Sequence, residues 1–327
     1  MTDRVRIGVL GCAGIAGRSV IPAIKALGAD FELVAVASRS REKAESFAGQ
    51  FDCKPVVGYE QLVAAKDVDA VYIPLPTGLH REWIDKALQA GKHVYAEKAF
   101  AASLSDAVEM VTSARNNGLA LMEGFMFQYH RQHRIVFDLL RAEEIGEIRY
   151  FSSSFGFPPL ARDNFRYDEQ IGGGALLDAA GYTIRAVHFI LGRDFSVKGA
   201  TLHSDPLVGT SMYGSAFLTN SRGIGASVAF GFDNYYQCRY EIWGTKGKLI
   251  ADRAFTPGPD FSPKIIVETA QGTNVIQAPA DNHFVGALRE FHRIISNDND
   301  NHRQRHYADI LLQSESIDLI RKLSANS

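Results

Sequence analysis

Val-Arg-Ile-Gly-Val-Leu-Gly-Cys-Ala-Gly-Ile-Ala, residues 5–16, precedes a helical stretch and then Glu-Leu-Val-Ala-Val-Ala-Ser-Arg-Ser, residues 32–40. The pattern reads as strand, glycine turn, helix, strand. The apolar run Ile7–Leu10 is short and suits a buried parallel strand. Against the template G-x-G-x-x-G, Gly11 holds the first position, while Ala13 and Ala16 stand at the second and third. Small side chains still let the backbone approach a pyrophosphate resting on the N-terminus of the next helix. Directly after a strand and opening a helix, the motif predicts a dinucleotide-binding unit. Gly11, Cys12, Ala13, Gly14, Ile15 and Ala16 are its expected cofactor contacts. The competing reading is an ordinary turn that uses one glycine for its bend.

The end of the second strand selects the cofactor. A free ribose 2′-hydroxyl is usually held there by Asp or Glu. Here the strand ends Ala37-Ser38-Arg39-Ser40, with no acid. A hydroxyl followed by a guanidinium suits a 2′-phosphate, because the planar fork binds phosphate oxygens bidentately. Lys43 adds charge one turn later. Ser38, Arg39 and Lys43 therefore predict NADP(H) over NAD(H), against the plainer reading of solvated charges at a helix start.

Outward from this unit, the chain has 327 residues, enough for two domains, and 46% of them are hydrophobic, enough for real cores. A formal net charge of −2 argues against a nucleic-acid or membrane-surface role. Cys12, Cys53 and Cys238 are far apart and show no ligand spacing, and the histidines form no H-E-x-x-H pattern, so no metal is expected. With no secretory signal or long apolar span, a cytoplasmic location is expected.

Up to Glu123, short apolar runs alternate with helical stretches. Val68–Pro74, Lys92–Ala96 and Leu119–Glu123 read as strands; His80–Ala90 and Ser103–Asn117 read as helices stopped by Gly91 and Gly118. That alternation predicts an α/β Rossmann domain over residues 1–124. Beyond it, after a helix at His133–Glu144, eight short segments from Glu147–Phe157 to Asn274–Gln277 predict a large, mostly antiparallel open sheet. One long helix, Gly174–Leu191, interrupts it, and helices at His283–Ser296 and Tyr307–Ser324 close an α+β domain over residues 125–327. The last helix shows an apolar stripe at Ala308, Leu312, Leu319 and Leu323 and is expected to pack back on the first domain. Asn297–Asn301 reads as a polar surface loop.

Three stretches carry the chemistry: Ile73-Pro-Leu-Pro-Thr-Gly-Leu-His80, Gly91-Lys-His-Val-Tyr-Ala-Glu-Lys98 and Gly172-Gly-Gly-Ala-Leu-Leu-Asp178-Ala-Ala-Gly-Tyr182. With the glycine turn, they resemble the glucose-fructose oxidoreductase/inositol dehydrogenase (Gfo/Idh/MocA) family over nearly the whole chain. The resemblance implies an active-site lysine at Lys98, where the usual Glu-Lys-Pro is Glu-Lys-Ala. It implies cofactor contacts from Pro74, Leu75, Pro76, Thr77, His80, Glu97 and Lys98. The family's Asp-x-x-x-His is here Asp178-x-x-x-Tyr182. The tyrosine resembles the branch of nucleotide-sugar 3-ketoreductases and dihydrodiol dehydrogenases, and Phe125–His133 resembles the sugar ketoreductases. Association as a dimer or tetramer through the C-terminal sheet is also implied.

In residue chemistry, Asp178 and Tyr182 stand at i and i+4, so a continuous helix puts them on one face, with Arg185 nearby. Hydride delivery to a ketone creates an alkoxide that needs a proton and a positive neighbour. A phenol is neutral at pH 7 and can donate. The catalytic candidates are thus Tyr182 as acid, Lys98 as its electrostatic partner, and Asp178 as the group that orients substrate or lysine. The reverse assignment, with Lys98 as donor, stays open. Arg162, Arg166 and Tyr236 are candidates to hold a sugar or diphosphate, though each is also an ordinary surface or sheet residue. Trp83 packs on the ribose or sits in a helix interface, and Asp281, Asn282 and His283 read as a helix cap. The expected activity is NADP(H)-dependent reduction of a ketosugar, possibly nucleotide-linked. The alternatives are a sugar, polyol or cyclic trans-diol dehydrogenase, and a cofactor-sensing regulator without chemistry.

Overall fold

The structure is a computed structural model that describes residues 4–296 and 300–325. Residues 297–299 of the expected polar loop lie outside the described residues. The chain divides into two compact units, Met1–Gly124 with Phe284–Ser314, and Phe125–His283 with Glu315–Ser327.

The first unit is built on β1 (Val5–Leu10), β2 (Phe31–Ser38), β3 (Lys54–Val57), β4 (Ala70–Ile73), β5 (His93–Ala96) and β6 (Leu121–Glu123). They pair in parallel in the order β3-β2-β1-β4-β5-β6, with β1 and β4 central. The order reverses beside β1, so the C-terminal ends of β1 and β4 form the switch point where ligands of such sheets bind. Helices α1 (Ile21–Ala26, continuing a π-helical turn Ala16–Val20), α2 (Arg41–Phe51), α3 (Tyr59–Val63), α4 (His80–Gln89) and α5 (Leu104–Asn116) connect the strands. Each buries an apolar stripe: Ala107, Met110, Val111 and Ala114 of α5 recur at helical spacing in the same core as Val71 and Val94. Ser103 caps α5 by accepting from the Asp106 N–H at 3.1 Å.

The second unit holds α6 (Arg131–Arg141), β7 (Ile148–Gly156), α7 (Ala175–Asp178), α8 (Ala180–Leu191) and seven further strands: β8 (Ser196–Asp205), β9 (Thr210–Thr219), β10 (Gly225–Gly231), β11 (Gln237–Gly244), β12 (Gly247–Ala251), β13 (Lys264–Thr269) and β14 (Gly272–Gln277). The sheet order is β14-β13-β12-β11-β7-β10-β9-β8, antiparallel except at β7–β10. Alternation sorts its faces. Met212, Ala216 and Leu218 of β9 are buried, whereas Tyr213 and Phe217 between them are exposed.

Two helices depart from the sequence reading. The expected single helix Gly174–Leu191 is broken at Ala179, where the Tyr182 N–H bonds the Ala179 carbonyl at 3.3 Å. Gly181 weakens this turn, and the Thr183 hydroxyl donates back to the Ala180 carbonyl at 2.9 Å, competing with the ladder. The closing helices are α9 (His283–Ser296) and α10 (Asp300–Ser324), and α10 begins two turns earlier than expected. Its buried positions are Tyr307, Ile310, Gln313, Ser314, Ser316, Ile317 and Ile320, while Ala308 is exposed and Leu312, Leu319 and Leu323 are half-buried. Buried Gln313, Ser314 and Ser316 hide that face from an apolar count.

Candidate active site

In the first unit, the glycine turn follows β1. Gly11 has φ +123°, and a Cβ there would lie 3.0 Å from Cδ2 of Leu75, so a side chain meets both strain and a clash. Ala16 is buried where the helix begins, and Gly14 is exposed. A Cβ on Gly14 would lie 3.3 Å from Nη1 of Arg18. The Arg18 guanidinium is thus folded over the turn, at the helix end that attracts phosphate. Sequence reasoning passed over Arg18; the available signal was a cation one turn into the helix after the glycines.

Beside the turn, the half-buried Cys12 places Sγ 3.6 Å from the Lys43 carbonyl. Burial pushes this thiol's pKa up, opposed by the Ser38 hydroxyl and the Lys43 charge. Ser38 is buried and accepts from the Ser40 N–H at 3.2 Å, and Ser40 caps α2 through the Lys43 N–H at 3.4 Å. Arg39 is exposed and reaches the Tyr59 phenol, whose pKa is raised mainly by burial and lowered in part by the Arg39 charge. The edge of β2 therefore offers hydroxyl and guanidinium donors around a small-residue turn. That donor set fits the 2′-phosphate and pyrophosphate of NADP(H). Trp83 is a core residue, with its ring centroid 5.0 Å from that of Tyr59.

After β4, Pro74 is buried, Leu75 and Pro76 are half-buried, and Thr77 opens a 3-10 turn Thr77–Leu79. His80 corrects the sequence reading. Instead of facing a cofactor, it is wholly buried, with Nδ1 3.0 Å from the Phe100 carbonyl and Nε2 2.8 Å from the Leu75 carbonyl. Burial lowers its pKa, opposed by those backbone acceptors. Its role is positional, because Leu75 and Phe100 flank the two candidate loops. After β5, Glu97 accepts from the Tyr72 hydroxyl at 2.8 Å. Lys98 is half-buried at the bend, its peptide to Ala99 is cis, and the Phe100 N–H donates to the buried Glu123 carboxylate at 2.9 Å. The Glu97 N–H bonds the Ile73 carbonyl at 3.0 Å while His80 and Glu123 bond the Phe100 backbone, so the chain is held on both sides of Lys98. Glu123 is a buried acid at a strand end, a signal that went unused.

In the second unit, Gly172-Gly-Gly brings a loop against its helix. A Cβ on Gly173 would lie 2.6 Å from the Arg166 and Asp168 carbonyls, and the Gly174 N–H donates to the Arg166 carbonyl at 2.7 Å. That close approach delivers the Arg166 Nε to Asp178 Oδ2 at 2.8 Å, so Arg166 and Asp178 meet as an ion pair. Tyr182 is 6% exposed, and its ring lies among Phe125, Phe127, Phe155 and Phe255 at centroid distances of 5.7, 6.1, 4.7 and 5.7 Å. Its hydroxyl is 4.0 Å from the Met126 sulfur. Arg185 is buried, with its guanidinium 5.2 Å from the Phe125 ring centroid. Arg162 is exposed in the loop after β7. The Tyr236 hydroxyl lies 3.3 Å from that of Thr256. Asp281 accepts from the Arg131 N–H at 2.9 Å, so it serves the first turn of α6 as well as preceding α9. Among the described residues, no cluster of His, Cys, Asp and Glu is placed to hold a metal, and no helix is long and apolar enough to cross a membrane.

Known proteins share this architecture. Residues 5–125 match the oxidoreductase family with an NAD-binding Rossmann fold, Gfo/Idh/MocA, and residues 133–250 match that family's C-terminal domain. The dTDP-3,4-didehydro-2,6-dideoxy-α-D-glucose 3-reductase of Saccharopolyspora spinosa is 44% identical over 90% of this chain and 89% of its own. KijD10, a 3-ketoreductase from Actinomadura kijaniata solved with NADP and TDP-benzene, superposes with a TM-score of 0.93 at 39% identity, covering 98% of each chain. It has also been solved with a tyrosine changed to phenylalanine and with a lysine changed to alanine. The NADP-dependent D-xylose 1-dehydrogenase 2 of Haloferax volcanii is 34% identical over 80% of both chains.

Proposed function

We propose that this chain, which belongs to the Gfo/Idh/MocA oxidoreductase family, is an NADPH-dependent ketoreductase that acts on a nucleotide-linked ketosugar. One observation carries the reading of an enzyme rather than a sensor: a phenol, Tyr182, caged by four phenylalanines in the same unit as an Arg166–Asp178 ion pair. The substrate class is supported by relatives at 44% and 39% identity whose names specify 3-reduction, one of a dTDP-sugar.

NADPH, when bound, supplies the hydride. Arg18 and the glycine turn hold its pyrophosphate, and Ser38, Arg39 and Lys43 hold its 2′-phosphate. Lys98 stabilises the negative charge that develops on the carbonyl oxygen, and Tyr182 donates the proton that makes it a hydroxyl. The aromatic cage keeps water from the phenol, which strengthens electrostatic interactions there. Asp178, fixed by Arg166, orients a neighbouring sugar hydroxyl. Two copies associate through the open sheet face, where Tyr213, Phe217, Trp243 and Val275 are exposed. Light scattering is expected to give at least twice the 35.9 kDa chain mass, and a monomer at micromolar concentration would reject this association.

The test is NADPH oxidation with a dTDP-linked 3-ketosugar, its free counterpart, and D-xylose in the oxidative direction. Turnover with the nucleotide-linked ketone is expected, with NADPH preferred over NADH. Arg39→Ala removes charge-assisted bonds of about 1.5–3 kcal/mol, so NADPH affinity should fall roughly 10–100-fold while NADH affinity holds. Turnover confined to xylose oxidation rejects the ketoreductase, and equal use of both cofactors by the wild type rejects the 2′-phosphate site.

A further inference from the structure

We propose that Arg253, packed against two aromatic rings, anchors a phosphoryl oxygen of the substrate's diphosphate; this rests on the nucleotide-linked reading above. The Arg253 guanidinium carbon lies 5.0 Å from the Tyr236 ring centroid and 5.2 Å from that of Phe261. The side chain is half-buried, and among the described residues it forms no ion pair with a carboxylate. The two rings pack against the guanidinium, and its N–H edge matches phosphate oxygens bidentately.

The backbone is built to present this group. Arg253 has φ +58°, a left-handed conformation that a side chain disfavours and that persists only when its surroundings over-determine it. Buried Gln132 donates to the Arg253 and Ala254 carbonyls at 3.4 and 3.2 Å, and buried His133 contacts the Ala254 carbonyl at 3.1 Å. The Ala254 N–H bonds the Cys238 carbonyl at 2.7 Å, and the Phe255 N–H bonds the Cys238 sulfur at 3.4 Å. The neighbouring Asp252 has one oxygen taken by the Arg253 N–H at 3.1 Å.

Position favours the diphosphate. Tyr236 continues the helix-covered face of β11 that holds buried Cys238 and Tyr240. Phe255 packs on Tyr182 with ring centroids 5.7 Å apart, and the Arg253 Cα, two residues earlier, is within about 7 Å of the Phe255 Cα. A diphosphate is attached to the same sugar ring whose ketone reacts, and must be held one ring's breadth from the proton donor.

Calorimetry of dTDP binding decides the matter, using wild type, Arg253→Gln and Arg253→Lys, with NADPH binding and thermal melting on the same preparations. Expected is a loss of at least 20-fold in dTDP affinity for Gln and a smaller loss for Lys, with NADPH affinity unchanged. If Arg253→Gln does not fold, Arg253→Lys decides, because a point charge cannot reproduce the stacked fork. A folded variant that binds dTDP within twofold of wild type overturns the Arg253 assignment and leaves the nucleotide-linked reading intact. Absence of dTDP binding by the wild type overturns both.

Discussion

Lys98→Met is expected to lower kcat by about 10³-fold and Tyr182→Phe by about 10²-fold, within the range for one positioned electrostatic or acid group. Lysine is ranked first because a developing alkoxide needs a positive neighbour whichever group gives the proton. Its bend is also held on both sides, by the Glu97 N–H on the Ile73 carbonyl and by Phe100 on Glu123 and His80. Tyr182→Phe removes one oxygen and keeps the ring that packs on Phe155 at 4.7 Å. The variant should therefore fold normally and lose kcat with little change in KM, the sign of an interaction made in the transition state. If the two residues act on one proton transfer, the double variant loses less than the product of the single losses. Single-turnover rates with bound NADPH measure this directly. Losses under threefold in both single variants would remove the pair from the chemistry, and a larger loss for phenylalanine than for methionine would reverse their ranking.

The first unit was legible because its signals are local. The glycine turn, the missing acid after β2 and the helix stops at Gly91 and Gly118 each lie within a few residues of the feature they define. What escaped depends on partners far along the chain. His80 resembled a ligand-facing residue because its position follows a proline-rich loop, yet its second ring contact is Phe100, 20 residues away. The break at Ala179 escaped because the letters Ala-Leu-Leu-Asp-Ala-Ala-Gly-Tyr are good helix text. The preceding turn is tied to β9 by the Leu176 N–H on the Ser211 hydroxyl. The break qualifies the inference from i, i+4 spacing, since Asp178 ends α7 and Tyr182 lies in the first turn of α8. Arg253 was invisible because nothing local marks a left-handed arginine. Its rings come from Tyr236 and Phe261, and its backbone is held by Gln132 and His133.

Those buried groups also predict a steep loss of stability in mild acid. Burial pushes His133 and His283 down to about 3 in the second unit, and His93 to about 4 in the first. His133 sits between the Tyr240 hydroxyl at 2.9 Å and the Ala254 carbonyl, and His93 accepts from the Ala120 N–H at 2.9 Å through Nδ1, so a proton there would break a bond. An unfolded histidine titrates near about 6.5. Between that value and the folded one, the unfolded chain binds more protons, so stability falls as pH falls; above about 7 the contribution is complete. At pH 5 each of the three groups then costs about 2 kcal/mol. Carboxylates with lowered pKa, such as Asp69 and Glu290, lose their contribution only at still lower pH. The second unit, with two such histidines, should lose about 4 kcal/mol and melt roughly 8–16 °C lower at pH 5 than at pH 7.5. His133→Gln carries no titrating group. It should be less stable at pH 7.5 yet show about half the wild-type pH dependence. Calorimetric melts across this range are the check, and a wild-type melting temperature that stays flat from pH 7.5 to 5 would sink the prediction.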